Sequence, residues 1–149
     1  MIECWFDGAC EPVNPGGTAA YGAVVLDGEK RLMEASEIFV PQRNPLATSN
    51  NVAEYSGFKR VLDFLIANEL QRQQIVIRGD SNLVIQQMRG QWRIRQGFYV
   101  PIARECKELL LKFPNLALEW IPREQNGLAD DLSKAELKRA GVVFKIQPE

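Results

Sequence analysis

The chain has 149 residues, 46% hydrophobic and 25% charged, enough for one domain with its own core. Its formal charge of −1 provides no overall attraction for nucleic acid, and no apolar run approaches the ~20 residues of a membrane span. Histidine is absent, which excludes histidine triads, histidine-ligated zinc and a histidine general base.

Ile2, Trp5 and Phe6 mark a first strand. It runs into DGACEPVNPGG, residues 7 to 17, where Pro12, Pro15, Gly16 and Gly17 break regular structure. Asp7 reads either as a solvated hairpin residue or as a ligand or base at the strand end, faced by loop N–H groups. AAYGAVVLDGEK and RLMEASEIFV are two further strands, and Asp27–Gly28 between them is a hairpin turn. Residues 41–49 form a loop. A helix starts near Asn51, with Val52, Tyr55, Phe58, Val61, Leu62, Leu65 and Ile66 at three- and four-residue steps. IVIR, residues 75–78, is a buried strand ending in Gly79–Asp80, and Ser81 is placed to cap the next helix. Gln86 and Gln87 read as surface of that helix. Pro101 suits a helix start, and Ile102, Cys106, Leu109, Leu110 and Phe113 stripe that helix up to Pro114–Asn115. LALEWI is a fifth strand, Asn126 is placed to cap a last helix, and Gly141 suits its end.

The order β-β-β-α-β-α-α-β-α predicts an α/β fold, a mixed sheet with helices packed on it. One domain spans residues 1–149, with a short tail from 142 whose alternation is too brief for a strand. Cys4, Cys10 and Cys106 have no metal-ligand spacing and read as reduced thiols, although Cys4 and Cys10 are placed to pair across the first loop. Met1 leads into a polar strand and not a signal peptide, so a cytoplasmic location is expected.

Asp7, Glu54, Asp80 and Asp130 fall at strand ends or first turns of helices, where one edge of an α/β sheet gathers its site. Each has a structural alternative: Glu54 and Asp130 suit the positive end of a helix dipole, and Asp80 suits a cap. Together they imply more. Four ionised carboxylates in one place repel unless counter-charged, and Arg78 and Arg123 are possible basic partners. Two divalent cations would neutralise them. Oxygen ligands without histidine suit Mg²⁺ or Mn²⁺, and such a pair can hydrolyse a phosphodiester. Residues 81–104 contain no acid but hold Arg89, Arg93, Arg95 and Arg104, with Trp92, Phe98 and Tyr99 among them. Trp92 suits either core packing or an exposed ribbon lying on a duplex backbone.

FDGACEPVNPGG, TSNNVAEY, RGDSNLVIQQM, GQWRIR and IPREQNGLADDLS, in this order over residues 6–133, carry a resemblance. The chain resembles type 1 ribonuclease H, most of all its archaeal-type branch. The resemblance implies a five-stranded mixed sheet: strands 1–3 an antiparallel meander, strands 4 and 5 parallel to strand 1, helices flanking. It implies an Mg²⁺-dependent monomer, acting away from membranes, that hydrolyses the RNA strand of RNA–DNA hybrids to 5′-phosphate and 3′-hydroxyl ends. Asp7, Glu54, Asp80 and Asp130 match the family's metal-binding acids. Within the pattern Asn-x-x-Ala-Asp-x-Leu, Asp130 and not Asp131 is the matching acid. Gly8, Ala9 and Cys10 match a loop against RNA 2′-hydroxyls, and Asn14, Asn50 and Asn51 match nucleic-acid contacts. Asn50 and Asn51 also suit simple helix caps. Trp92, Arg93 and Arg95 match a substrate-binding stretch. The histidine that many members carry before the last acid is missing, as is a long basic insertion; Arg123 and Glu124 occupy the histidine's loop. Other readings are a same-fold nuclease for DNA junctions or double-stranded RNA, and a hybrid-binding domain without catalysis. A mere binder gains nothing from four clustered acids.

Overall fold

A computed structural model describes residues 1–41, 43, 44, 47–142 and 144. Strands β1 (Ile2–Glu11), β2 (Thr18–Asp27) and β3 (Lys30–Phe39) precede helix α1 (Asn50–Ala67) and strand β4 (Ile75–Gly79). Helices α2 (Asn82–Met88) and α3 (Val100–Leu110), strand β5 (Leu116–Trp120) and helix α4 (Gly127–Arg139) follow, with a 3-10 turn at Arg123–Gln125 before α4. The sheet order is β3-β2-β1-β4-β5. β1–β2 and β2–β3 pair antiparallel, while β1–β4 and β4–β5 pair parallel, as the family resemblance implies. Most of the tail, residues 143 and 145–149, lies outside the described residues.

The first strand is longer than its apolar run. β1 continues past Asp7 to Glu11 because β2 carries the pairing on, from Asp7↔Gly22 to Glu11↔Thr18. β4 stops earlier, at Phe6↔Gly79. Asp7 is therefore the first residue of β1 beyond the end of its parallel neighbour, and not the last residue of a strand. The gap beside it opens the sheet to a cleft.

Helices cover both faces. A Cβ at Gly8 would lie 2.4 Å from the Glu54 nitrogen, so only glycine lets α1 approach β1 there. A Cβ at Gly22 would lie 2.1 Å from the Ala129 carbonyl, so α4 rests on the other face, where Asp7 points. Ile2, Cys4 and Phe6 pack with Tyr55, Phe58, Leu62 and Leu65 in the main core, and Phe6 meets Phe58 edge-on at 5.3 Å. Ser49, not Asn50 or Asn51, caps α1, its hydroxyl accepting from the Val52 N–H at 3.1 Å. Ser81 caps α2 as expected. Asn126 occupies the cap position of α4 without a side-chain cap bond. Cys4, Cys10 and Cys106 are free and buried; Cys4 and Cys10, six residues apart on one strand, are ~20 Å apart and cannot pair. Gln87 is 1% exposed rather than surface, because α2 turns it inward beside Val84 and Met88.

Candidate active site and metal centre

Four elements converge on the cleft. β1 supplies Asp7, the turn after β4 supplies Asp80, and α1 and α4 bring Glu54 and Asp130 from opposite faces. Glu54 lies on the stripe that continues as Phe58, Val61 and Leu65, where a buried side chain is expected. Burying a carboxylate at a core position is unfavourable without compensation, and this is the signal in the sequence that sets Glu54 apart from a surface acid. Asp7 and Glu54 are both 4% exposed.

Carboxylate oxygens of Asp7, Glu54 and Asp80 all lie within 4.8 Å of one another. Neighbouring groups aim them. The Gly8 N–H donates to Asp7 Oδ1 at 2.8 Å, and Asn50 Nδ2 donates to Glu54 Oε1 at 3.3 Å. Asn126 Nδ2 donates to the Phe6 carbonyl at 2.9 Å and to Asp80 Oδ1 at 3.3 Å. It holds an acid where the sequence suggested a helix cap. Trp120 Nε1 donates to the Asp80 carbonyl at 3.2 Å. Burial pushes the Asp7 carboxyl up to about 11; the charges of Glu54 and Asp80 and a hydrogen bond with Asp130 push the same way. Burial, then the charge of Asp80, holds Glu54 well above the usual carboxylate range.

This arrangement fits a divalent cation. Its donors are hard carboxylate oxygens, and Glu54 Oε2 is buried with no hydrogen-bond partner among the described residues. Asp130 stands slightly apart, paired with Lys134 Nζ at 3.0 Å across one helical turn. Lys134 is a basic cleft residue the sequence reading passed over, although the i,i+4 spacing carries the signal. Arg123 also lines the cleft. Arg78 does not serve it: Arg78 bonds Glu3 at 2.5 Å and Glu119 at 3.4 Å and lies over the Trp5 ring. Asp131 is exposed on the outer face of α4.

The remaining sequence-selected residues form a track. The acidic cleft, about 310 Å³, is lined by Gly8, Ala9, Cys10, Asn14 and Asn50 as well as the acids. Asn14 and Asn50 also line the adjoining hollow, with Asn51, Gly97, Phe98 and Tyr99. Tyr99 in turn lines the next, with Trp92, Arg93 and Arg95. Asn14 Oδ1 accepts from the Asn50 N–H at 2.9 Å, tying the first loop to α1. Cys10 turns its thiol inward to the Val13 carbonyl at 3.2 Å. Trp92 is 47% exposed, so the core-packing reading fails. Arg93 and Arg95 are exposed on either side of Ile94, which packs on the core.

The chain is similar to several known proteins. Residues 5–136 match the family model described as "Reverse transcriptase-like". The "Putative hydrolase EbsB" of Enterococcus faecalis is 30% identical over 93% of this chain and 96% of its own length. "Ribonuclease HI" of Halobacterium salinarum is 30% identical over 93% of this chain and 65% of its own. The chain spans about a third of the length (33%) of the first mycobacterial relatives it matches, at 30% identity. The solved structure of LC11-RNase H1 in complex with RNA/DNA hybrid superimposes with a TM-score of 0.80 at 28% identity, covering 94% of this chain and 99% of that one. A matched family model, a relative matched along almost all of both chains and a shared sheet order place this chain in the ribonuclease H-like family, with its type 1 members.

Proposed function

We propose that the protein hydrolyses the RNA strand of RNA–DNA hybrids with Mg²⁺, leaving 5′-phosphate and 3′-hydroxyl ends. The observation that carries this is the carboxylate triad within 4.8 Å, Asp7 and Glu54 buried and Asp80 half-buried, with Glu54 Oε2 unpartnered among the described residues, at one end of a track that leads to exposed arginines. The similar LC11 enzyme was solved on such a hybrid, and the Halobacterium relative bears the name ribonuclease HI.

Asp7, Glu54, Asp80 and Asp130 would hold the cations. Bound divalent ions supply activation of water and stabilisation of the leaving oxygen in phosphodiester hydrolysis. The protein's own part is positioning. The Gly8 N–H and the Asn50 and Asn126 amides fix three carboxylates before substrate arrives. Lys134 holds Asp130 by charge, and Arg123 offers positive charge at the cleft wall. Arg93 and Arg95 take phosphates away from the reacting centre, which gives sequence-independent, salt-sensitive binding. The 2′-hydroxyl is the group by which the Gly8–Cys10 and asparagine wall of the cleft distinguishes RNA from DNA.

The test is cleavage of labelled RNA–DNA, RNA–RNA and DNA–DNA duplexes, each with Mg²⁺ or EDTA. RNA in the hybrid should be cut with Mg²⁺ alone, and DNA–DNA left intact. Equal or faster cutting of RNA–RNA would make double-stranded RNA the substrate. No Mg²⁺-dependent cleavage of any duplex would leave a binding domain.

A further inference from the structure

The substrate-facing arginines lie on a segment with little structure of its own. Residues 89–99 form neither helix nor strand. Among the described residues, one side chain reaches the backbone between Arg93 and Gln96 by hydrogen bond: Gln87 Nε2 donates to the Arg93 carbonyl at 2.8 Å. The same nitrogen lies 3.2 Å from the Tyr99 hydroxyl, at the segment's far end. Gln87 Oε1 accepts from the Tyr55 hydroxyl at 2.6 Å, and the Tyr55 and Tyr99 rings stack 5.5 Å apart with planes 3° from parallel. Tyr55 follows Glu54 on α1, and Gln87 sits on the helix that begins just after Asp80. A buried amide is unfavourable unless its bonds are made, and a leucine would fill this core position without that demand.

We propose that Gln87 is a positioning residue for nucleic-acid binding: its buried amide ties the Trp92–Arg95 segment to α1, which carries Glu54, and to α2, which begins just after Asp80. Resting on the hybrid reading above, it makes Gln87 the link that keeps the arginines in line with the cleft.

The test compares Gln87→Met, which keeps the length and removes every amide bond, with Tyr55→Phe, which removes only the α1 side. Amide exchange over residues 91–97 in the substrate-free proteins is read first. Gln87→Met should speed it at least tenfold, and Tyr55→Phe should leave it unchanged even where it lowers Tm. On RNA–DNA hybrid in EDTA, Gln87→Met should raise Kd about tenfold and reduce the slope of log Kd against log salt by about 1, one phosphate's worth. With Mg²⁺, KM should rise while kcat at saturating hybrid stays within about twofold. If the two variants behave alike, or Gln87→Met lowers kcat with Kd unchanged, the assignment is overturned. A wild-type protein that does not bind hybrid defeats the proposed function instead, and amide exchange then decides this inference alone. If Gln87→Met does not fold, Tyr99→Phe replaces it: about threefold weaker binding supports the role, and unchanged Kd and salt slope refute it.

Discussion

Asp7→Asn should abolish most cleavage and stabilise the metal-free protein at neutral and alkaline pH. The folded protein raises the Asp7 carboxyl from 3.8 to about 11, chiefly by burial and then by the charges of Glu54 and Asp80. The folded state therefore keeps a proton that the unfolded chain has released above pH 4. Stability from this group is complete below about pH 4 and is lost as pH rises toward the folded value. Four pH units, from 4 to 8, at about 1.36 kcal/mol each set a ceiling near 5 kcal/mol. Coulomb's law gives the same scale: like charges at the 4.8 Å limit repel by about 3.5 kcal/mol at an effective dielectric constant of 20, and Asp7 faces two. Side-chain adjustment and water reduce this, so the expected gain is about 2 kcal/mol.

At roughly 2–4 °C per kcal/mol for a chain of this size, Tm in EDTA at pH 8 should rise about 5 °C. The asparagine keeps an acceptor for the Gly8 N–H, which now bonds Asp7 Oδ1 at 2.8 Å, so the fold is preserved. At pH 4 the gain should vanish. Mg²⁺ should reverse the ranking, because binding stabilises wild type by mass action and the variant has lost a ligand charge. Thermal unfolding of both proteins from pH 4 to 9, with EDTA and with Mg²⁺, reads all of this. A variant no more stable than wild type at pH 8 in EDTA, or equally favoured at pH 4, would refute the electrostatic account.

Three further outcomes are expected. Replacing Arg93 and Arg95, both exposed, with alanine should weaken hybrid binding and lower its salt slope by about 2; titrations at several salt concentrations would show an unchanged slope if the track runs elsewhere. Asp130→Asn should cut turnover severely or raise the Mg²⁺ needed, and Asp131→Asn should change it less than about threefold, because Asp130 lines the cleft beside Lys134 while Asp131 is exposed; parallel Mg²⁺ titrations would reverse the assignment if Asp131→Asn proved the more damaging. Gly22→Ala should displace α4, since its Cβ would fall 2.1 Å from the Ala129 carbonyl, destabilising the fold by about 1–3 kcal/mol; denaturant unfolding with an unchanged midpoint would show that α4 does not rest on the sheet there.

What the sequence revealed and what it hid divide along a physical line. Periodicity exposed the strands and helices because burial repeats with the geometry of each element. The end of β1 stayed hidden, because hydrogen bonds from β2, not apolar side chains, carry that strand from Asp7 to Glu11. Asn126 and Gln87 stayed hidden for a related reason. A cap and a surface amide are decided locally, whereas Asn126 bonds Asp80, 46 positions away, and Gln87 bonds Tyr55, 32 positions away. Local sequence carries no record of such partners. Lys134 differs: its partner Asp130 is one helical turn away, so the pair was legible in principle. The acids that the sequence singled out lie on separate elements, and the polar residues it misread are among those that fix their mutual geometry. The site thus depends on two sets of residues. Residue chemistry and the family pattern reveal the charged one. The amides that orient it become visible only when distant segments meet, and their loss should alter the geometry of the cleft and its track although no carboxylate is removed.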